Sequence, residues 1–267
     1  MDNSFEKKYN QSIKLLSLLS GKIEVAYSGG KDSDVILNLC KDAGLQVTPV
    51  YRATTIDPPY TIKHVKSVGG VVVRPNKTFF QLIAEKGYPS RFRRFCCREL
   101  KELPPLNETT KYVIVGIRKS ESSKRAKRYK EPTECKIRKG VHYEAVYPIL
   151  DWTDADILQY IEDRQIKLHP LYYKKDGSID VKKRLGCLCC PLQSDNGKSD
   201  FLRYPKMVKA WTDAYNKFIV SHPDSKSANI DAYKQFYAHI THNNDILKGE
   251  LFDTDYKQVI EDYFCKH

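Results

Sequence analysis

The segment Ser28-Gly29-Gly30-Lys31-Asp32-Ser33 packs two glycines, a lysine, a carboxylate and two hydroxyls into six residues. The glycines permit a tight turn and a close approach of backbone to a ligand. The run before it, Ile23-Glu24-Val25-Ala26-Tyr27, is rich in β-branched and aromatic residues and reads as a buried strand. From Ser33 to Cys40 the apolar residues fall at helical spacing. Strand, glycine turn and helix start together make an anion-binding arrangement. Loop N–H groups and the positive end of the helix dipole face phosphates, and Lys31 and the hydroxyls add side-chain contacts. The spacing is not that of a Walker A loop.

Cysteines are the second set of reactive residues, eight in all. Cys187-x-x-Cys190 is a two-ligand hook, because two thiolates on one tight turn can reach one metal centre. Cys96-Cys97 offers a second pair, with Cys135 or Cys189 as alternatives to Cys97. Adjacent cysteines are unusual in a structural zinc finger, whose unit is C-x₂₋₄-C, although zinc stays open. Cys40 falls on the apolar face of its helix and reads as core. Cys265 stands three residues from the end and reads as a frayed terminal thiol.

Five apolar runs, at 23–27, 46–51, 70–73, 111–117 and 144–149, read as strands. Helical patterns at 33–43, 59–68, 78–86 and 153–165 separate most of them, and an amphipathic helix at 5–20 precedes them. Alternation of this kind predicts a doubly wound α/β fold with a five-stranded parallel sheet. Ligands of such folds sit at the carboxyl ends of the strands, where the motifs at 28–33, 53–57 and 116–118 should converge. The pattern changes near residue 168. The expected division is an α/β domain over 1–168 and a cysteine-motif segment with a helical C-terminal region over 169–267. Helices are expected at 199–220, 229–241 and 254–264, with Trp211, Tyr215, Phe218, Tyr233, Phe236 and Tyr237 as packing residues.

The chain has 267 residues, a formal net charge of +12 and a pI near 9.2. Such a balance suits a polyanionic partner, nucleotide or nucleic acid. Three basic clusters flank the motifs: Arg91, Arg93, Arg94 and Arg98; a run from Arg118 to Lys130; and Lys182, Lys183 and Arg184. They read either as solvated faces or as one positive funnel. No stretch is long and apolar enough for a membrane span, and the N-terminus lacks the apolar core of a signal peptide, so a cytoplasmic location is expected.

The hexapeptide resembles the pyrophosphate loop of the ATP pyrophosphatase superfamily, SGGxDS. Ala53 to Pro59, Arg94 to Lys101, Gly116-Ile117-Arg118 and Gly186 to Pro191 look like its PAPS reductase-like branch, so the likeness spans roughly residues 20 to 195. It implies a Rossmann-like fold of the HUP type. It also implies an adenine nucleotide, ATP with Mg²⁺, bound by Ser28, Gly29, Gly30, Lys31, Asp32, Ser33, Thr54, Asp57, Gly116, Arg118 and Arg125. Lys31, Asp32 and Arg118 would act in catalysis, Asp32 helping to hold the metal, while Arg118 and Arg125 clamp the activated substrate. The tandem cysteines with a distant C-x-x-C resemble the site of APS reductases and imply a 4Fe–4S cluster on Cys96, Cys97, Cys187 and Cys190. The activity implied is adenylation of a substrate for sulfur transfer, with a sulfur-donor protein among the partners. The acceptor stays open between nucleic-acid backbone, tRNA base and small metabolite. Reduction of PAPS or APS is the alternative, although Cys265 matches the terminal motif of those reductases only loosely. A non-catalytic nucleotide or nucleic-acid sensor is a third reading.

Overall fold

β-branched runs bounded by glycine and polar turns become short buried strands, and the amphipathic stretches between them become helices. In a computed structural model, which describes residues 3–225, 229–248 and 254–265, the elements follow in this order. They are α1 (Asn3–Ser17), β1 (Ile23–Ala26), α2 (Lys31–Asp42), β2 (Thr48–Arg52), α3 (Thr61–Ser67), β3 (Val71–Val73), α4 (Phe79–Lys86), β4 (Tyr112–Ile114) and α5 (Ser123–Arg128). Then come β5 (Thr133–Arg138), β6 (Val141–Val146), α6 (Asp154–Asp163), α7 (Lys198–Arg203), α8 (Lys206–Ser221), α9 (Ala232–Thr241) and α10 (Tyr256–Cys265).

The chain divides into two units. The first takes residues up to Ala53, Asp57–Arg74 and Lys101–Gly186; the second takes Thr54–Ile56, Pro75–Leu100 and the chain from Cys187 on. Residues 169–186 thus stay with the sheet, because Tyr172 is in its core and Leu185 packs against that core. Residues 75–100 leave it, because Phe79, Leu82 and Ile83 of α4 pack into the other core with Trp211 and Tyr215 of α8.

The first unit holds one sheet in the order β3-β2-β1-β4-β6-β5, a doubly wound α/β arrangement. Five strands are parallel. β5 is a sixth that runs antiparallel to β6, with Cys135 opposite Glu144. This is one strand more than the five the sequence predicts, and the reason is that the β5 sequence, Thr-Glu-Cys-Lys-Ile-Arg, is that of a charged edge strand without an apolar run. Central strands carry Val25, Val50, Ile114 and Val146 into the core. Glu24 is buried among them and is satisfied by Arg52 Nη1 at 2.8 Å and by the Leu106 N–H at 2.7 Å.

The second unit is helical. Its core is aromatic, with Tyr88 stacked on Tyr215 at 4.2 Å and Phe201 edge-on to Phe236 at 4.9 Å. The expected helix at 199–220 is broken into α7 and α8 at Tyr204-Pro205, since proline lacks an N–H and disfavours helical geometry in the residue before it. Cys265 ends α10, and its side chain lies outside the described residues. Among the described residues, no helix is long and apolar enough to cross a membrane.

Candidate functional site

β1 ends at Ala26, and Tyr27 adds one more hydrogen bond to the sheet, N–H to Val50 O at 3.0 Å. The chain then turns through Gly29, whose φ of +73° lies in the region that favours glycine. Gly30 caps α2 without a side chain. A Cβ there would stand 3.2 Å from both Ser28 Oγ and Tyr172 Oη. The positive end of the α2 dipole thus faces the loop with no capping side chain from Gly30. Ser33 Oγ donates to Gly30 O at 2.7 Å, and Ser28 Oγ meets Ser33 Oγ at 3.2 Å, so the hydroxyls brace the turn.

Sheet order reverses between β1 and β4, and the connections that leave these two strands meet at Asp32. Gly116, just after β4, would place a Cβ 3.1 Å from the Asp32 carbonyl, so any larger residue would push the two segments apart by a few tenths of an ångström. Arg118 Nε donates to Asp32 Oδ1 at 2.7 Å, and Lys31 Nζ lies 3.0 Å from Asp32 Oδ2. Arg118 is 2% exposed, and each of its nitrogens has a protein partner. Besides Asp32, these are Asp154 at 2.8 Å from Nη2 and Ser120 Oγ at 2.9 Å from Nη1. Lys31 is 3% exposed, with Nζ 5.8 Å from the centre of the Tyr172 ring. Arg125 pairs with Glu121, which also holds Arg184 at 3.5 Å. Burial, then the neighbouring Arg184 charge, lowers the pKa of Arg125.

Of the expected site residues, the Ser28–Ser33 loop, Gly116 and Arg118 are brought together. Asp57 lines a cleft beside the loop with Tyr27, Ser28, Arg52, Thr61 and Lys101. Thr54 is buried and belongs to the other unit.

Under the loop lies a buried polar group that sequence reasoning missed. Asp34 accepts from Tyr27 Oη and lies 3.0 Å from His64 Nε2. Burial raises the pKa of Asp34 against the opposing effect of His64, and burial raises that of Tyr27. His169 Nδ1 accepts from the Leu171 N–H at 3.1 Å and its Nε2 faces Pro59 O at 3.0 Å, an arrangement that suits the neutral ring. Burial accordingly lowers its pKa. Tyr172 Oη accepts from the Leu185 N–H at 3.2 Å and from the Lys31 amide, and burial pushes its pKa up to about 12. His169-Pro170-Leu171-Tyr172 read only as a helix break, and nothing local in it signals that the tyrosine returns to the loop.

The second unit carries the cysteines. Cys96 precedes a single π-helical turn, Cys97–Lys101. A hydrogen bond with Cys97, then burial and the nearby thiols of Cys187 and Cys190, push the Cys96 pKa far up. Cys96 thus feels the charge of the other three expected ligands. Among the described residues, no group of three or more His, Cys, Asp or Glu is arranged to hold a metal ion. Cys189 is buried in the aromatic core with φ +55°, its N–H bonded to Asp200 Oδ2 at 2.8 Å. Cys135 is exposed on β5 in the sheet unit, and Cys40 is fully buried, its pKa pushed up by burial to about 12.

The family model described as phosphoadenosine phosphosulfate reductase domain matches residues 22–193. An uncharacterized protein of Methanocaldococcus jannaschii is 28% identical over 229 residues, which cover 80% of this chain and 52% of that protein. A phosphoadenosine 5'-phosphosulfate reductase of Xanthomonas oryzae pv. oryzae is 35% identical over 74 residues, 27% of this chain and 28% of that enzyme. The chain thus spans about half, or less, of the length of the curated relatives it matches. Among solved structures, a U34-tRNA thiolase of Methanococcus maripaludis with its 4Fe-4S cluster aligns at 13% identity, TM-score 0.47, over 84% of this chain and 80% of its own. A phosphoadenylyl-sulfate reductase of Candida auris aligns at 15% identity, TM-score 0.45, over 67% and 95%.

Proposed function

The chain belongs to the phosphoadenosine phosphosulfate reductase domain family, and from that membership we propose that it binds ATP in the Ser28–Ser33 cradle and adenylates an acceptor for sulfur transfer. The observation that carries this reading is the strand–glycine turn–helix at the switch point of the sheet, with Gly116 packed against Asp32. An acceptor nucleophile attacks the α-phosphorus, the bond from α-phosphorus to the bridging oxygen breaks, and pyrophosphate leaves. Loop amides, the α2 dipole and Lys31 stabilise the charge that develops on the leaving group. A sulfur nucleophile then displaces AMP from the adenylated acceptor.

Asp32 is a positioning residue in this reading. Its two oxygens already pair with Lys31 and Arg118, an arrangement that does not fit the expected role of magnesium ligand, and no step is assigned to that metal. Arg118 likewise holds the two loops together instead of reaching a substrate. Cys96, Cys97, Cys187 and Cys190 are the residues that would hold a 4Fe–4S cluster, for which four thiolates are the donor set, and the electrostatic influence of the other three on Cys96 supports that reading. When bound, such a cluster supplies a site that carries sulfur.

Three measurements test the reading. ATP titrated by calorimetry should bind wild type, while Lys31→Ala should bind at least about tenfold more weakly, a loss of roughly 1.4 kcal/mol. ATP labelled at the α-phosphate should yield AMP and pyrophosphate when an acceptor is supplied; ADP would refute adenylation. Release of sulfite from adenylyl sulfate with a thiol reductant would identify a reductase instead.

A further inference from the structure

The segment Tyr88-Pro89-Ser90-Arg91-Phe92-Arg93-Arg94-Phe95 sends its three aromatic rings to different places. Tyr88 and Phe95 are buried in the aromatic core of the second unit. Phe92, between them, is 99% exposed, more than any other large apolar residue described. Leaving a phenylalanine in water forgoes about 2–3 kcal/mol of burial.

The ring is presented on a braced turn. Ser90 Oγ accepts from the N–H groups of Phe92 and Arg93 at 3.3 and 3.0 Å, and the Ser90 N–H donates to Arg93 O at 3.3 Å. Arg91 Nη2 donates to Gln193 O at 2.9 Å, and Arg93 Nη2 donates to Lys86 O. Arg91, Arg93, Arg94 and Arg98, within six residues of Phe92 along the chain, are all exposed. No acidic residue occurs between Glu85 and Glu99. Those two carboxylates are themselves paired, with Lys77 at 2.6 Å and Lys86 at 2.8 Å.

An exposed π-face on a turn rich in exposed arginines is complementary to an unpaired nucleobase with its flanking phosphates. The geometry points to a single-stranded nucleic-acid site in which Phe92 stacks on an unpaired base while Arg91, Arg93, Arg94 and Arg98 meet the backbone. As an acceptor for adenylation, such a strand rests on the function proposed above; as a bound ligand it does not. A duplex presents no free base face to the ring, and a membrane interface calls for an apolar helix face instead of one ring among arginines.

Fluorescence anisotropy of a labelled single-stranded oligouridine tests the site without ATP or iron. Wild type should bind. Phe92→Ala should weaken binding by roughly 5- to 150-fold, the range expected for one lost base–aromatic stack. Phe92→Trp should retain binding, and its emission should be quenched by the oligonucleotide. Arg93→Ala should lower the slope of log affinity against log salt by roughly 0.7. A duplex of matched length should bind equally to wild type and Phe92→Ala. The proposal is overturned if wild type does not bind the single strand, or if Phe92→Ala binds it as well as wild type. It is also overturned if only binding to anionic phosphatidylglycerol vesicles depends on Phe92. ATP titration of Phe92→Ala keeps the two readings apart, since nucleotide affinity should not change.

Discussion

Removing the Arg118 guanidinium should loosen the nucleotide loop. Arg118→Met keeps much of the buried volume and deletes three anchored nitrogens. Breaking a buried ion pair costs about 3–5 kcal/mol. Asp154, however, is 48% exposed and is rehydrated once released, and Asp32 keeps Lys31 as a partner. The low end, about 3 kcal/mol, is therefore expected. At about 2–4 °C per kcal/mol for a chain of this size, the melting temperature should fall by roughly 6–12 °C. The same change leaves Lys31 as the remaining cation on Asp32, so ATP affinity should fall by about tenfold or more. Arg118→Lys should recover little, because an ammonium cannot serve two carboxylates and a hydroxyl in a fixed fork. Asp154→Ala should cost less than about 1 kcal/mol, as befits a half-exposed partner. Differential scanning fluorimetry and calorimetric ATP titration read both effects. If Arg118→Met or Arg118→Lys matched wild type in melting temperature and ATP affinity, the hub assigned to Asp32 and Arg118 would be wrong.

After anaerobic purification, wild type should carry about four iron per chain. Alanine at Cys96, Cys97, Cys187 or Cys190 should lower that content, while alanine at Cys40, Cys135 or Cys189 should not; zinc in the wild type would overturn the cluster. In the second unit, His239 Nε2 is buried without a partner between Tyr88 and Trp211, and burial lowers its pKa from 6.5 to about 4. The folded state thus binds its proton more weakly than the unfolded state. The associated stability is complete above about pH 6.5 and is lost as pH falls toward 4, by at most about 3 kcal/mol. Urea unfolding at pH 7.5 and 5 should show this loss in wild type and a smaller one in His239→Phe; equal losses would refute the assignment.

Most elements of the sheet unit were readable locally. The runs at 23–27 and 111–117 became β1 and β4, and the glycine turn between β1 and α2 sits where the hexapeptide predicts it. Of the aromatic residues read as packing, Trp211, Tyr215 and Phe236 are buried in the second core, and Phe218, Tyr233 and Tyr237 pack against it half-buried. Less was readable where a residue's meaning depends on a distant partner. Asp34 and His64 are 30 positions apart, and Tyr172 reaches Lys31 from across the chain. No spacing rule connects such pairs, because the approach of α3 and of the 169–186 segment to the loop is set by packing.

Chemistry carried on short segments, then, is determined by the sequence itself. Glycines that permit the turn, β-branched runs that make strands and a C-x-x-C hook all act through local backbone preference and spacing. Tertiary structure alone decided that Asp32 is already claimed by Lys31 and Arg118, and that Cys189 is core. It also decided that Phe92 faces water while Tyr88 and Phe95 do not. The physical reason is the same in each case. A charge, a thiol or a ring takes its role from what is packed against it, and those neighbours come from segments that only the folded chain brings together.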